Sequence, residues 1–211
     1  MWGASMIEAL KVYDPETPLV APDFRSFLIA GFPWHNPELS HKHITTSEAW
    51  WGPIINKFVE GYVHYGISDE QARKLALLAK KKFLDMDTWN IFDDTIDTLN
   101  FLSELGWKHA IVSNHMPELI DIVKALGIDK HIEYFINSAF VGYEKPNRMI
   151  YEYALSLTGR PKEVWMIGDN IEADYFGAHA AGIKAILVRN KDPRAEINCK
   201  DLKETLKIII G

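Results

Sequence analysis

Four short apolar runs in the second half of the chain constrain the fold most: Lys108–Ser113 (KHAIVS), Tyr134–Asn137, Val164–Gly168 and Ile183–Val188. Each is strand-length, and each is separated from the next by a segment that reads as a helix. Asp93–Leu105 and Pro117–Leu126 stop at Gly106 and Gly127, a residue type that leaves a helix through a left-handed turn at little cost. Pro146 stands in the first turn of the segment ending at Leu157, where a missing N–H is tolerated. Ala173–Ala181 and Leu202–Ile210 complete the set. Strands that alternate with helices pair in parallel, because the helix is the crossover, and such a sheet is covered on both faces.

Residues before about 88 lack this alternation. Helices are predicted from Ser5 or Ala4 through Val12, from Thr46 to about Tyr65 behind a T-x-S-E capping pattern, and from Ser68 to about Leu84 behind an acidic start. Pro15, Pro18 and Pro22 interrupt the first pattern, and FPWHNPELSHKH (32–43) reads as loop. The expected architecture is α/β: a small all-helical cap domain (residues 1–87) followed by a Rossmann-like parallel sheet core with helices on both faces (residues 88–211).

Composition excludes several functions. Among 211 residues, 47% are apolar and 25% charged, which is ordinary globular usage. The net charge of -6 offers no basic field to a nucleic acid or an anionic membrane, so neither partner is expected. Cys199 is the single cysteine, which excludes an intramolecular disulfide and a thiolate zinc cage and suits a cytoplasmic protein. No apolar run approaches the roughly 20 residues needed to span a bilayer, and MWGASMIEALKVYD lacks the pattern of a secretory signal. Nothing in the sequence fixes an oligomeric state.

Three loops follow the predicted strands, at the end of a parallel sheet where ligands bind. Ser113-Asn114 follows AIV; a hydroxyl and backbone N–H groups near a helix start can hold a phosphate oxygen, and equally Ser113 can simply cap the helix. Lys145 precedes the helix-opening Pro146, where an ammonium can balance a nucleophile and a phosphate together, although a lone lysine is more often solvated. In VWMIGDNIEADYFGAHAAG, Asp169 ends an apolar strand and Asp174 follows five residues later. Two carboxylates in one strand-end loop make a hard oxygen site suited to Mg²⁺. Capping would use one of them, not both.

Together these residues resemble the haloacid dehalogenase-like hydrolase superfamily, most of whose members are Mg²⁺-dependent phosphatases. HAIVSN is similar to its second motif at Ser113, EKPNRMIYEYAL to its third at Lys145, and GDNIEADYFGAHAAGI to its fourth at Asp169 and Asp174. Thirty-two residues separate Ser113 from Lys145 and twenty-four separate Lys145 from Asp169, spacings that suit the family. The resemblance implies a phosphatase acting on a small phosphorylated metabolite through an aspartyl-phosphate. Ser113 and Asn114 would bind phosphate, Lys145 would balance charge, and Asp169 with Asp174 would hold Mg²⁺. The helical first half is similar to the family's cap.

The chain departs from the family at its first motif, an apolar strand ending in D-x-D, whose first aspartate is the nucleophile and whose second is the general acid and base. No such run precedes the helical half, and the nucleophile is unassigned. A weaker alternative takes Ala9–Leu19 as a degenerate motif, with Asp14 as nucleophile and Glu16 as acid–base. Lys11 inside a buried strand and Pro18 at the turn count against it. The family's first strand lies between those carrying the second and fourth motifs. Without it, KHAIVS and VWMIGD face unpaired edges, so either the sheet closes the gap or another segment or chain fills it. A phosphate- and Mg²⁺-binding module without turnover is the alternative function. The aromatic residues Trp34, Trp50, Trp51 and Phe58 read mainly as core, and Lys80-Lys81-Lys82 as a solvated face.

Overall fold

A computed structural model describes residues 2–211. Helices α1 (Trp2–Tyr13), α2 (Ser47–His64) and α3 (Asp69–Phe83) form the first half, with short 3₁₀ turns between α1 and α2. The capping chemistry is as the sequence anticipates: Thr46 Oγ1 accepts from the Ala49 N–H at 3.2 Å, and Ser68 Oγ accepts from the Gln71 N–H at 3.4 Å. The three helices close on a core that includes Met6, Trp50, Trp51, Phe58, Tyr62 and Leu75, each at most 2% exposed. The Tyr62 hydroxyl donates to the Met6 carbonyl at 2.8 Å, so even the buried polar atom of this core is partnered. Trp34 is only half-buried. No helix among the described residues is long and apolar enough to cross a membrane.

Asp14 and Glu16 stand differently from the alternative raised above. Residues 9–13 are the end of α1, not a strand, and Asp14 and Glu16 lie in the exposed turn beyond it. The reason is local: Ala9, Leu10 and Met6 lie on one helical face buried against α3, a pattern that a period-two strand cannot satisfy.

The second half runs α4 (Thr95–Glu104), β1 (His109–Ser113), α5 (Leu119–Ala125), β2 (Ile132–Asn137), α6 (Ser138–Val141), α7 (Arg148–Leu157), β3 (Trp165–Gly168), α8 (Gly177–Ala180), β4 (Lys184–Val188), β5 (Asn198–Cys199) and α9 (Leu202–Ile209). All strand pairs are parallel. Alternate residues of β4 face opposite layers: Ala185 and Leu187 pack with α7 and α8, and Ile186 and Val188 pack with Ile209 of α9. Asp94 ties the α4 and α9 starts together by accepting the Leu202 N–H at 2.6 Å, and it pairs with Arg189 beyond β4. Its own burial works against ionisation, but Arg189 and the Leu202 and Lys203 N–H groups outweigh it and hold the carboxyl below its usual range.

The strands do not form one sheet. β1 pairs only with β2, and β3 pairs with β4, which pairs with β5. The expectation that the sheet might close across the gap is therefore corrected. Between β1 and β3 lies a cavity of about 680 Å³, walled by α4 and α9 on one face and α7 on the other. These helices hold the two pieces apart, so neighbouring strands cannot slide together without unpacking both layers. The exposure pattern records the split: Ala185–Val188 of β4 are all buried, whereas Trp165–Gly168 of β3 are half-exposed and Ala110 in β1 is exposed.

Candidate active site

The carboxyl ends of β1 and β3 open at one rim, and Ser113, Lys145, Asp169 and Asp174 all line the same cavity there. Lys145 is the centre of the arrangement. Its Nζ donates to the Val112 carbonyl at 2.6 Å and to Asp174 Oδ1 at 2.6 Å, so a single ammonium bridges the two sheet pieces. Both side chains of this ion pair are more than 90% buried. Asn114 fixes the lysine's backbone from both sides: its Oδ1 accepts the Lys145 N–H at 2.6 Å and its Nδ2 donates to the Lys145 carbonyl at 2.8 Å. Asn114 thus positions Lys145, a role more specific than the phosphate contact first assigned to it. Ser113 Oγ makes no hydrogen bond among the described residues, which leaves the hydroxyl free for a ligand oxygen.

Asp174 sits one turn beyond β3 because residues 171–176 form a π-helical turn that continues into α8. The expected regular helix over Ala173–Ala181 is corrected here: the wider turn lets Asp174 fold back so that Oδ2 accepts the Asn170 N–H at 3.0 Å. Gly168 is required by contact, not by a left-handed backbone. A Cβ at that position would collide with the Asp174 carboxylate. Asn170, which the sequence reading passed over, caps the turn through Oδ1 with the Glu172 and Ala173 N–H groups at 3.0 and 2.9 Å. An asparagine between a strand-end aspartate and a helical segment was the signal available.

The donor set can be weighed for Mg²⁺. Magnesium is commonly held by one or two carboxylates together with phosphate oxygens and water. Asp169 is exposed at the rim, and Asp174 is a buried anion whose two oxygens are already engaged. That fits the one-or-two-carboxylate mode. Among the described residues no group of three His, Cys, Asp or Glu side chains gathers to make a fuller cage.

Two further groups were not legible in advance. Glu144 is 1% exposed and its Oε2 has no partner, and burial pushes its carboxyl up to about 7, against the opposing Ser138 hydroxyl and Lys145 charge. His115 lies in a second recess of about 690 Å³, between the helical half and the rim, with Trp2, Trp34, Trp50, Trp89 and Asn170. Burial holds the His115 imidazole below its usual pKa, and its Nδ1, like Trp50 Nε1 and Trp89 Nε1, has no protein partner. Four separate segments build this recess, so no local pattern announces it.

Comparison with known proteins agrees with this geometry. The family model described as haloacid dehalogenase-like hydrolase matches residues 22–182. Haloacid dehalogenase-like hydrolase domain-containing protein 3 of Bos taurus is 31% identical over 159 residues, which cover 74% of this chain and 62% of that protein. A phosphoserine phosphatase of Thermus thermophilus is 30% identical over 165 residues, covering 74% of this chain and 65% of that one. In fold, a haloacid dehalogenase-like hydrolase of Bacillus subtilis solved bound to magnesium superposes with a TM-score of 0.71 at 16% identity, covering 100% of this chain and 93% of that one. The chain belongs to the haloacid dehalogenase-like hydrolases. It spans roughly 60% of the length of the first of the curated relatives it matches (62%, 60% and 60%).

Proposed function

We propose that this site serves a Mg²⁺-dependent phosphatase acting on a small phosphorylated metabolite. The observation that carries the reading is Lys145 Nζ, held between the Val112 carbonyl and Asp174 at the rim where Ser113 and Asp169 also open. Ser113 Oγ and the backbone N–H groups after it bind phosphate oxygens. The buried Lys145 ammonium offsets the charge that builds when a phosphate sits beside Asp174, in a site where low dielectric makes that offset effective. Asn114 and Asn170 hold Lys145 and Asp174 in place, so little reorganisation accompanies binding. Magnesium, bound by Asp169 beside Asp174, would supply charge neutralisation and orient the ester for in-line attack. The aromatic recess around His115 encloses the rest of the substrate. Phosphatase names among the relatives support the same chemistry.

A second reading, a binding module without turnover, is favoured by one observation: the aspartate and glutamate considered as nucleophile and acid, Asp14 and Glu16, lie outside both recesses. The attacking carboxylate would then have to come from another segment. Calorimetry with inorganic phosphate and Mg²⁺, alongside phosphate release from 4-nitrophenyl phosphate, separates the readings. Phosphate binding that needs Mg²⁺ and is lost in Ser113→Ala and Asp169→Asn supports the site under either. Turnover decides for the phosphatase, and its absence for the module. Binding indifferent to both substitutions, or halide release from a 2-haloacid without metal, defeats the assignment.

A further inference from the structure

We propose that the cavity between β1 and β3 is a receptor for one extended apolar polypeptide strand, running parallel to both and joined at its carboxyl end to the start of α1. Two edges face the cavity from opposite sides, each belonging to a strand that is paired on its other edge only. A sheet edge with unpaired N–H and C=O groups is a template for another strand. β1 and β3 belong to a set of parallel strands and both end at the rim, so a single strand of the same sense completes both ladders at once and merges the two sheets. Helices on both faces wall the cavity, which defines a layer one strand thick and favours a segment apolar on both sides. β1 has five residues and β3 four, so the matching insert is four or five residues long.

The exposure pattern argues for the same occupant. Met166, Ile167, Ile111 and Val112 are half-exposed although they lie between helical layers, whereas the β4 residues beside them are buried. A strand in the cavity would cover these groups and leave β4 unchanged. The connection follows from Trp2. It begins α1 and lines the recess at the rim together with Asn114 and Lys145, where a strand parallel to β1 finishes. A strand ending there reaches α1 without crossing the molecule. Lys145 Nζ already holds the two edges in register at that end. This inference concerns backbone pairing and stands whether or not the rim performs phosphate chemistry.

The test extends the full 211-residue chain ahead of Met1 with the segment Lys-Thr-Val-Ile-Val-Val-Asp-Thr and a short Gly-Ser joint. Hydrogen exchange read by mass spectrometry is compared with the unextended chain. A control replaces the second valine by proline, which removes a ladder donor. Expected is at least tenfold slower exchange in peptides spanning β1 and β3, little change in those spanning β4, a raised melting midpoint, and none of this in the proline version. The same segment added as a free peptide is expected to protect the same strands only at high concentration, since joining raises its effective concentration. Unchanged exchange at β1 and β3 in the extended chain overturns the proposal, as does equal protection by the proline version. Protection by the free peptide alone overturns the connection to α1. Protection of the unextended chain that grows with protein concentration, with a doubled mass by light scattering, assigns the cavity to a second copy instead. Phosphate release is not read, so failure of the phosphatase reading leaves this result intact.

Discussion

The two halves of this molecule meet the same demand, the pairing of buried backbone polar groups, by opposite means. The helices of the first half satisfy their own N–H and C=O groups internally, so aromatic side chains can close the core without help from elsewhere. The sheet of the second half satisfies its groups only between strands. Where one strand has no neighbour, no amount of good side-chain packing repairs the edge. The helical half accordingly buries Trp50, Phe58 and Tyr62 almost completely, while the sheet keeps a cavity of about 680 Å³ between its pieces. What spans that cavity at the rim is a side chain, Lys145.

The most severe way to break the comparison is therefore to remove that side chain. Lys145→Ala leaves Asp174 buried without its cation and Val112 without its donor. The expected loss is about 3–5 kcal/mol in urea denaturation, the usual consequence of stranding one member of a buried pair. Lys145→Met combined with Asp174→Leu should recover most of it, because an apolar pair of similar volume strands nothing. A single-variant loss under about 1 kcal/mol would show that the two sheet pieces are held by their helices alone.

Glu144 sharpens the comparison through pH. In the folded chain burial raises its carboxyl from 4.5 to about 7, so the folded state binds this proton more tightly than the unfolded chain does. Its contribution to stability is fully present below 4.5 and is lost as pH rises towards 7, by up to about 3 kcal/mol. The denaturation midpoint should fall between those values and level off above them. Glu144→Gln, neutral at every pH, should flatten that part of the profile. An unchanged profile in the variant would place the pH dependence elsewhere.

The junction between the halves gives the next smaller effect. Glu118, just before α5, accepts from Trp51 Nε1 at 2.9 Å and from Ser47 Oγ at 2.7 Å, and Lys80 Nζ lies 3.6 Å away. Lys80 is thus part of an interface and not of the solvated face expected for the lysine run. Glu118→Ala strands the indole N–H and should cost about 1–3 kcal/mol. Limited proteolysis is expected to cut first in the loop between α3 and α4, with the helical half surviving longer than β1.

What could be read from the sequence follows the same division between local and assembled structure. The strands at Ser113 and Gly168 were legible because apolar runs and glycine stops are local signals, and the three loops that follow them do converge. β5 was not legible: two residues, Asn198 and Cys199, carry no period. The π-helical turn was missed because apolar spacing does not distinguish it from an ordinary helix over so few residues. The unpaired edges were foreseeable from the topology, but whether the sheet would close depended on the helices of both layers, which no local pattern reports. Glu144 and His115 owe their character to burial by distant segments.

A deliberately small perturbation completes the scale. Glu70 and Lys74 pair at 2.7 Å on the outer face of α3, with both side chains largely exposed. Solvent screens such a pair and ordering its long side chains costs entropy, so Lys74→Ala should change stability by only about 0.3–0.5 kcal/mol, less at high salt. The reason it stays small is the closure of the helical core: α3 is held by Leu75, Ala76 and Ala79 on its inner face, which the substitution does not touch. If urea denaturation instead showed a loss of several times that size, α3 would depend on its surface for its stability. The contrast between a self-sufficient helical half and an edge-dependent sheet would then be lost.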